Sequence, residues 1–266
     1  MSAVAGIDPA ALFDLGERSA LVTGATGALG TAAARGLAAA GAKLTLAGGS
    51  AARLEELGEE LRAAGAAIEL VARRPDALAD AEAMVAAATA AHGAPELLVT
   101  AAGVNKVAMI EEQSVADWED VMDANVRGSW LVCKAAAPAL IAAGRGKVVL
   151  VSSTRGRLGH PAGYSAYCTS KAAVDGLCRT LACEWGKHGI NVNAIGPTVF
   201  RSDLTAWMYA DEDPGKSVRE GMLSRIPLGR LGEPEDFVGS LLFLLSPASD
   251  FCTGQVLYVD GGYTAG

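Results

Sequence analysis

Short apolar runs and longer Ala/Leu-rich stretches alternate along almost the whole chain. The runs at 19–23, 43–47, 66–71, 96–100, 147–152, 190–195 and 255–259 read as strands, and the stretches 28–40, 51–64, 76–92, 115–143, 164–186 and 234–245 carry a helical period. Val148-Val149-Leu150-Val151 shows no polar alternation, as expected of a parallel strand covered on both faces. Repeated β-α units predict an α/β fold: a doubly wound, parallel, seven-stranded sheet with helices on both faces and right-handed crossovers. No Pro-rich, Gly/Ser-rich or charged linker interrupts the series, so residues 1–266 are read as one domain. The exception to the rhythm is 197–231, which contains Asp211-Glu212-Asp213-Pro214-Gly215 and is expected to be an irregular substrate lid.

Length alone is ambiguous, since 266 residues correspond to about 1.8 average domains; the unbroken alternation decides for one. Hydrophobic residues make up 51% of the chain, which excludes disorder. The net charge of −8 repels nucleic acid and anionic membranes, so neither is expected as a partner. The cysteines, Cys133, Cys168, Cys178, Cys183 and Cys252, are odd in number and form no CxxC, and the three histidines are far apart. No metal site is expected, and a reducing cytoplasm suits the chain. Residues 1–15 lack the basic and apolar regions of a leader, and no run of apolar residues reaches the length of a membrane span.

The first strand runs into Thr23-Gly24-Ala25-Thr26-Gly27-Ala28-Leu29-Gly30 at the start of a helix. Glycines there let the backbone turn tightly and approach a pyrophosphate, whose charge then meets free N–H groups at the helix N-terminus, the arrangement of a Rossmann-type dinucleotide site. Later, Tyr167 and Lys171 stand four residues apart in a helical stretch and share one face. A free phenol with a pKa near 10 is poorly matched to proton transfer at neutral pH, and a nearby ammonium lowers that pKa. The pair therefore points to acid-base work beside Ser152-Ser153, which ends the fifth strand.

Together these motifs resemble the single-domain short-chain dehydrogenase/reductase family, and the resemblance runs nearly from end to end. It is nearest to sugar-acid dehydrogenases of the gluconate 5-dehydrogenase kind, on Leu12-Phe13-Asp14-Leu15-Gly16-Glu17-Arg18 and on Tyr258-Val259-Asp260-Gly261-Gly262-Tyr263. The family fingerprint T-G-x-x-x-G-x-G is matched by Thr23, Gly24 and Gly30, with Ala28 in the middle-glycine place and Gly27 one position early. By resemblance Thr26, Gly27 and Leu29 join them around the cofactor. In NAD-preferring members an acid ends the second strand; here Gly48-Gly49-Ser50 follows, which permits NADP without attracting it. Arg73-Arg74 replaces the Asp-Val pair that meets adenine. A guanidinium has no acceptor for the adenine amino group, so Arg73 is expected to stack on the base or reach a 2′-phosphate, with a solvated arginine pair as the plain alternative. Either NADP or NAD is admitted, and the lean is to NADP.

Thr100-Ala101-Ala102-Gly103 resembles N-N-A-G with both asparagines replaced, so hydrogen bonds that steady the central sheet are expected to be lost while Ala102 and Gly103 keep a small surface beside the cofactor. The resemblance assigns Tyr167 the proton transfer, Ser153 the substrate oxygen, and Lys171 the phenol and the nicotinamide ribose. Asn125, inside the helix at 115–143, is assigned a proton relay to the lysine. Pro197, Val199 and Ser202 are assigned the nicotinamide end. The family also implies a homotetramer. The expected function is interconversion of a secondary alcohol and a ketone with a nicotinamide cofactor, on a sugar acid or polyol. The alternatives are a 3-oxoacyl-[acyl-carrier-protein] reductase and a dinucleotide-binding module without catalysis. His160, Arg155 and Arg157 are placed to meet a substrate carboxylate or to lie in a solvated loop. Trp207, Met208, Tyr209 and Met222 are read as lid packing, Trp118 and Trp130 as core or subunit packing, and His92 and His188 as surface residues.

Overall fold

The computed structural model describes residue 6, residues 8–202 and residues 205–266. Part of the leader reading, at residues 1–5 and 7, and positions 203 and 204 of the expected lid lie outside the described residues. Seven strands, β1 (Ser19–Thr23), β2 (Lys43–Ala47), β3 (Ile68–Val71), β4 (Leu97–Thr100), β5 (Gly146–Val151), β6 (Ile190–Pro197) and β7 (Val256–Val259), form one sheet in the order 3-2-1-4-5-6-7. Every pairing is parallel. The order turns back between β1 and β4, and in such sheets a crevice opens there beyond the strand C-termini.

The helices are α1 (Pro9–Leu12), α2 (Ala28–Ala39), α3 (Ala51–Ala63), α4 (Leu78–His92), α5 (Val115–Met122), α6 (Gly128–Ala143), α7 (Ser165–Trp185), α8 (Gly215–Leu223) and α9 (Pro234–Leu245). Strand alternation sorts them into two layers. Ala20, Val22, Leu97, Val99, Val149 and Val151 point toward Leu37, Leu54, Phe237 and Leu241 of α2, α3 and α9. Leu21, Leu98, Val148 and Leu150 point the other way, toward Met84, Leu131, Val174 and Leu181 of α4, α6 and α7. Capping fixes several helix starts: the Ser50 and Ser114 hydroxyls accept the backbone N–H of Arg53 and Asp117. Gly144, left-handed at φ +63°, ends α6.

The two halves α5 and α6 are continuous through the π-helical turn Asp123–Arg127. The resulting helix Val115–Ala143 is long and apolar enough to cross a membrane by length and composition. Much of that apolar surface, including Leu131, Val132, Ala136 and Leu140, is packed into the second layer.

The expected irregular lid is partly ordered into a 3-10 turn, Ala206–Tyr209, and α8. Pro214 before it and Gly215 and Gly221 within it hide that helix from a propensity reading. A Cβ on Gly215 would lie 2.2 Å from the Trp207 carbonyl oxygen, so glycine is what lets α8 dock on the turn. Met208 is buried, and Tyr209 and Met222 pack on Ile226, Leu231 and Tyr263, as lid packing requires. Trp207 and Trp130 instead stay half exposed. His92 is more than a surface residue, because its Nε2 meets the Leu44 carbonyl at 3.1 Å.

Candidate active site

The crevice at the turn-back point is a groove of about 710 Å³. Of the residues expected around a cofactor, Thr23, Gly24, Thr26, Gly27, Gly48 and Gly49 line it on the β1–β2 side, and Ala102, Gly103 and Ser202 close the other side. The glycines there do different work. Gly24 has φ +69° and abuts the β4 extension, with a Cβ placed only 2.4 Å from the Ala102 nitrogen. A Cβ on Gly30 would sit 2.1 Å from the Gly24 carbonyl oxygen. On Gly27 it would meet that oxygen at 3.5 Å, an ordinary contact, so its bareness serves the groove rather than the fold. Gly27 also caps α2 without a side-chain hydrogen bond, leaving the first-turn amides for an anion. Ala28 lines the groove, adding its methyl there.

The Leu29 side chain packs against the core, the Ser50 hydroxyl caps α3, and the Val199 carbonyl accepts the Gly232 N–H. Arg73 borders the groove but is ion-paired with Asp80. Arg74 borders it as well, with Nε 4.0 Å from Asp76 and its Cγ and Cδ 3.0 Å from where a Cβ on Gly49 would be, so a side chain at 49 would crowd it. The Thr100 hydroxyl, at the place of the first family asparagine, is buried without a hydrogen-bond partner among the described residues.

Ser153 follows β5 and caps the 3-10 turn Thr154–Gly156 by accepting the Arg155 N–H. Its hydroxyl donates to the Pro197 carbonyl at 3.4 Å, tying the end of β5 to the end of β6. Tyr167 sits in the first turn of α7, with the Ser153 hydroxyl close enough to act on its phenol. Lys171, one turn on, is buried, with Nζ donating to the Val151 carbonyl at 2.9 Å and lying 5.6 Å from the centre of the Tyr167 ring. Gly103 joins this cluster to the groove, for a Cβ there would lie 3.5 Å from Lys171 Nζ.

Asn125 lies in the π-turn, buried. Its Oδ1 accepts the Val104 N–H at 2.7 Å, and its Nδ2 donates to the Val104 carbonyl and to Ser170 Oγ. Its side chain therefore clamps the β4 loop to α7. These bonds give Asn125 a positioning role, holding the loop after β4 beside the lysine.

Burial pushes the Tyr167 phenol above its ordinary range; the Ser153 hydrogen bond opposes this, Tyr164 and Cys168 add to it, and the Arg155 charge opposes it. Lys171 Nζ faces the Tyr167 ring and the Val151 carbonyl. Burial lowers Lys171 itself to about 8, with Asp175 holding it up. Asp175, one further turn along α7, accepts the Ser152 hydroxyl, and burial pushes its carboxyl upward. Sequence reasoning missed it, although Tyr167, Lys171 and Asp175 continue one i, i+4 ladder.

Below pH 8 the fold must carry a buried ammonium that the unfolded chain, with an amine near 10.5, holds freely. The gap corresponds to about 3 kcal/mol against the folded state. Between pH 8 and 10.5 the unfolded chain binds the extra proton, so this cost fades as pH rises. Lys171→Met is therefore expected to raise Tm by a few degrees at pH 6, with the gain shrinking toward pH 10. Thermal melts across that range check it; a gain independent of pH would contradict the assignment.

Over residues 24–264 the sequence matches the family described as Enoyl-(Acyl carrier protein) reductase. An uncharacterized oxidoreductase of Mycobacterium tuberculosis (strain ATCC 25618 / H37Rv) is 58% identical over 256 residues, which is 96% of this chain and 94% of that one. Gluconate 5-dehydrogenase of Gluconobacter oxydans (strain 621H) is 38% identical over 258 residues, 95% of this chain and 97% of the relative. The crystal structure of a gluconate 5-dehydrogenase from Burkholderia cenocepacia J2315, in complex with NADP and tartrate, is similar with a TM-score of 0.91 at 31% identity, covering 97% of this chain and 100% of that chain. Groove, catalytic cluster and relatives agree: the chain belongs to the short-chain dehydrogenase/reductase family, whose members are NAD(P)-dependent oxidoreductases acting on CH–OH groups.

Proposed function

We propose that this protein interconverts a secondary alcohol and a ketone on a sugar acid or polyol, with NADP preferred to NAD. The observation that carries the reading is Lys171 against the Tyr167 phenol ring, within reach of Ser153 and one glycine away from the groove. When bound, the dinucleotide supplies or takes up the hydride. Ser153 holds the reacting oxygen. Tyr167 Oη gives it a proton in reduction and removes one in oxidation, and Lys171 supplies the positive charge that steadies the phenolate and holds the ribose hydroxyls. Asn125 keeps the β4 loop against α7.

The groove fits a dinucleotide. Gly24, Gly27 and Gly30 bring backbone amides toward a pyrophosphate, and no carboxylate stands in Gly48-Gly49-Ser50 to repel a 2′-phosphate. Arg53 and Arg74 border that end with Arg73. Pro197, Val199 and Ser202 are assigned to the nicotinamide end, and of these Ser202 lines the groove. Arg74→Ala is expected to raise KM for NADPH about tenfold and leave KM for NADH within twofold, the loss of one charge-assisted contact. Equal effects on both cofactors would remove Arg74 from the 2′-phosphate.

A homotetramer is supported by apolar side chains left open on the long helix, Val115, Trp130 and Ile141, and a sedimentation mass four times that of the chain is the expected reading. A reducing cytoplasm is supported by the five free cysteines. The whole reading is tested with a panel of sugar acids, polyols and cyclic ketones, run with NADPH and with NADH. Dinucleotide binding without turnover anywhere on the panel would leave a binding module, and turnover confined to a carrier-linked 3-oxoacyl substrate would make it a carrier-protein reductase.

A further inference from the structure

The charged residues buried among the described ones are Lys147, Arg155, Lys171, Asp175 and Asp260. Four of them are compensated. Lys147 is paired with Asp250 at 2.7 Å, and Lys171 and Asp175 feel each other's charge. Asp260 accepts hydrogen bonds from Gly262 N, Thr264 N and Thr264 Oγ1. Arg155, 8% exposed, has only neutral hydrogen-bond partners among the described residues, the Gly159 carbonyl at 3.0 Å and the Tyr263 hydroxyl at 3.1 Å. A buried cation without a counter-charge is unfavourable unless something else supplies one.

The surroundings add positive charge rather than remove it. Arg225 packs on the same Tyr263 ring, 4.4 Å from its centre against 5.5 Å for Arg155, and neither guanidinium forms an ion pair with a described residue. His160 lies beside them, in the field of both. Its Nδ1 accepts the Ala162 N–H at 3.2 Å, so the neutral ring presents Nε2–H as a donor. The carboxylates on the neighbouring elements are spoken for: Asp260 by its own turn, Asp175 by Ser152 and Lys171.

This cluster adjoins the proton-transfer pair. Arg155 N–H donates to Ser153 Oγ, and the rings of His160, Tyr164 and Tyr167 follow one another at 4.3 and 6.2 Å between centres. We propose that Arg155, with Arg225 and the His160 Nε2–H, forms a subsite for the carboxylate of a polyhydroxy acid, held while its carbinol carbon lies at Ser153 and Tyr167. The inference rests on the dehydrogenase reading above and narrows it from sugar acids or polyols to sugar acids. Arg155 is the specificity-determining residue: a neutral polyol leaves its charge unanswered, and an acid does not.

The test compares D-gluconate with D-sorbitol, which has the same carbon skeleton with CH₂OH in place of the carboxylate, in oxidation with NADP. Wild type is expected to favour gluconate in kcat/KM. Arg155→Met is expected to reduce that preference about 100-fold and Arg225→Met about tenfold, the range of hydrogen bonds to a charged group, with Arg155→Lys recovering part of it. Arg157→Met, which removes an exposed arginine stacked on Tyr258, is expected to leave the preference unchanged. Calorimetry of L-tartrate against its uncharged analogue threitol, on the NADP-loaded wild type and Arg225→Met, gives a readout independent of turnover. Equal handling of gluconate and sorbitol in wild type and variants overturns the subsite and leaves the dehydrogenase standing. If neither is turned over, tartrate binding that is no tighter than threitol binding also overturns it, while tighter binding that weakens in Arg225→Met supports it.

Discussion

Tyr167→Phe is expected to lower kcat about 10³-fold while dinucleotide affinity stays within twofold and the thermal midpoint barely moves, the loss associated with removing a general acid-base group. The separation of effects follows from the geometry. Phenylalanine keeps the ring that faces Lys171 at 5.6 Å and the edge contact with Tyr164 at 6.2 Å, so packing survives. Ser153 is still held in place by the Arg155 N–H and the Pro197 carbonyl, from which its single O–H can turn to the substrate oxygen. What disappears is the proton at the reacting oxygen. Steady-state rates combined with a fluorescence titration of NADPH measure both sides of the claim. Full turnover on a true substrate would end the assigned mechanism, and an equal loss of cofactor binding would mean that Tyr167 acts mainly through the ribose.

Much of this site was legible in the sequence because it depends on local spacing. An i, i+4 pair shares a helix face whatever the tertiary context, so Tyr167 and Lys171 were found together, and the strand before them delivered Ser153. The same holds for the sheet, where period-2 alternation sorts Leu21 and Leu98 to one layer and Val22 and Val99 to the other. What stayed hidden depends on long-range placement. Arg73 and Arg74 are adjacent in sequence and both border the groove, and only the positions of Asp80 and Gly49, on other segments, decide that one is ion-paired there and the other runs along the glycine. The direction of Lys171 Nζ is set by a carbonyl on β5, twenty residues earlier. Helix α8 is weak in propensity and is held by its contact with the Trp207 carbonyl, a tertiary cause that no window of sequence displays. Arg155 looked like one of several loop cations until its burial and its neutral partners set it apart.

Gly30→Ala is expected to weaken dinucleotide binding at least 100-fold and to destabilise the fold by about 3 kcal/mol, at the upper end for forcing one methyl into a closed contact. The added Cβ would lie 2.1 Å from the Gly24 carbonyl oxygen, 2.7 Å from its carbonyl carbon and 2.9 Å from Ala25 Cα. All three are backbone, so no rotamer change relieves the clash, and α2 must move away from the β1 turn. That movement carries the first-turn amides away from the groove and strains Gly24, already at φ +69° and wedged against the Ala101–Ala102 backbone. Gly27→Ala provides the contrast. Its Cβ meets nothing closer than 3.5 Å, and replacing glycine by alanine at a helix N-cap costs about 0.5 kcal/mol, so the fold is expected to stand while the methyl obstructs the pyrophosphate. Denaturant titration and NADPH titration of the two variants separate a glycine required by the chain's own packing from one required by its ligand. If Gly30→Ala kept wild-type stability, the close approach of α2 to the β1 turn would not be what shapes this groove.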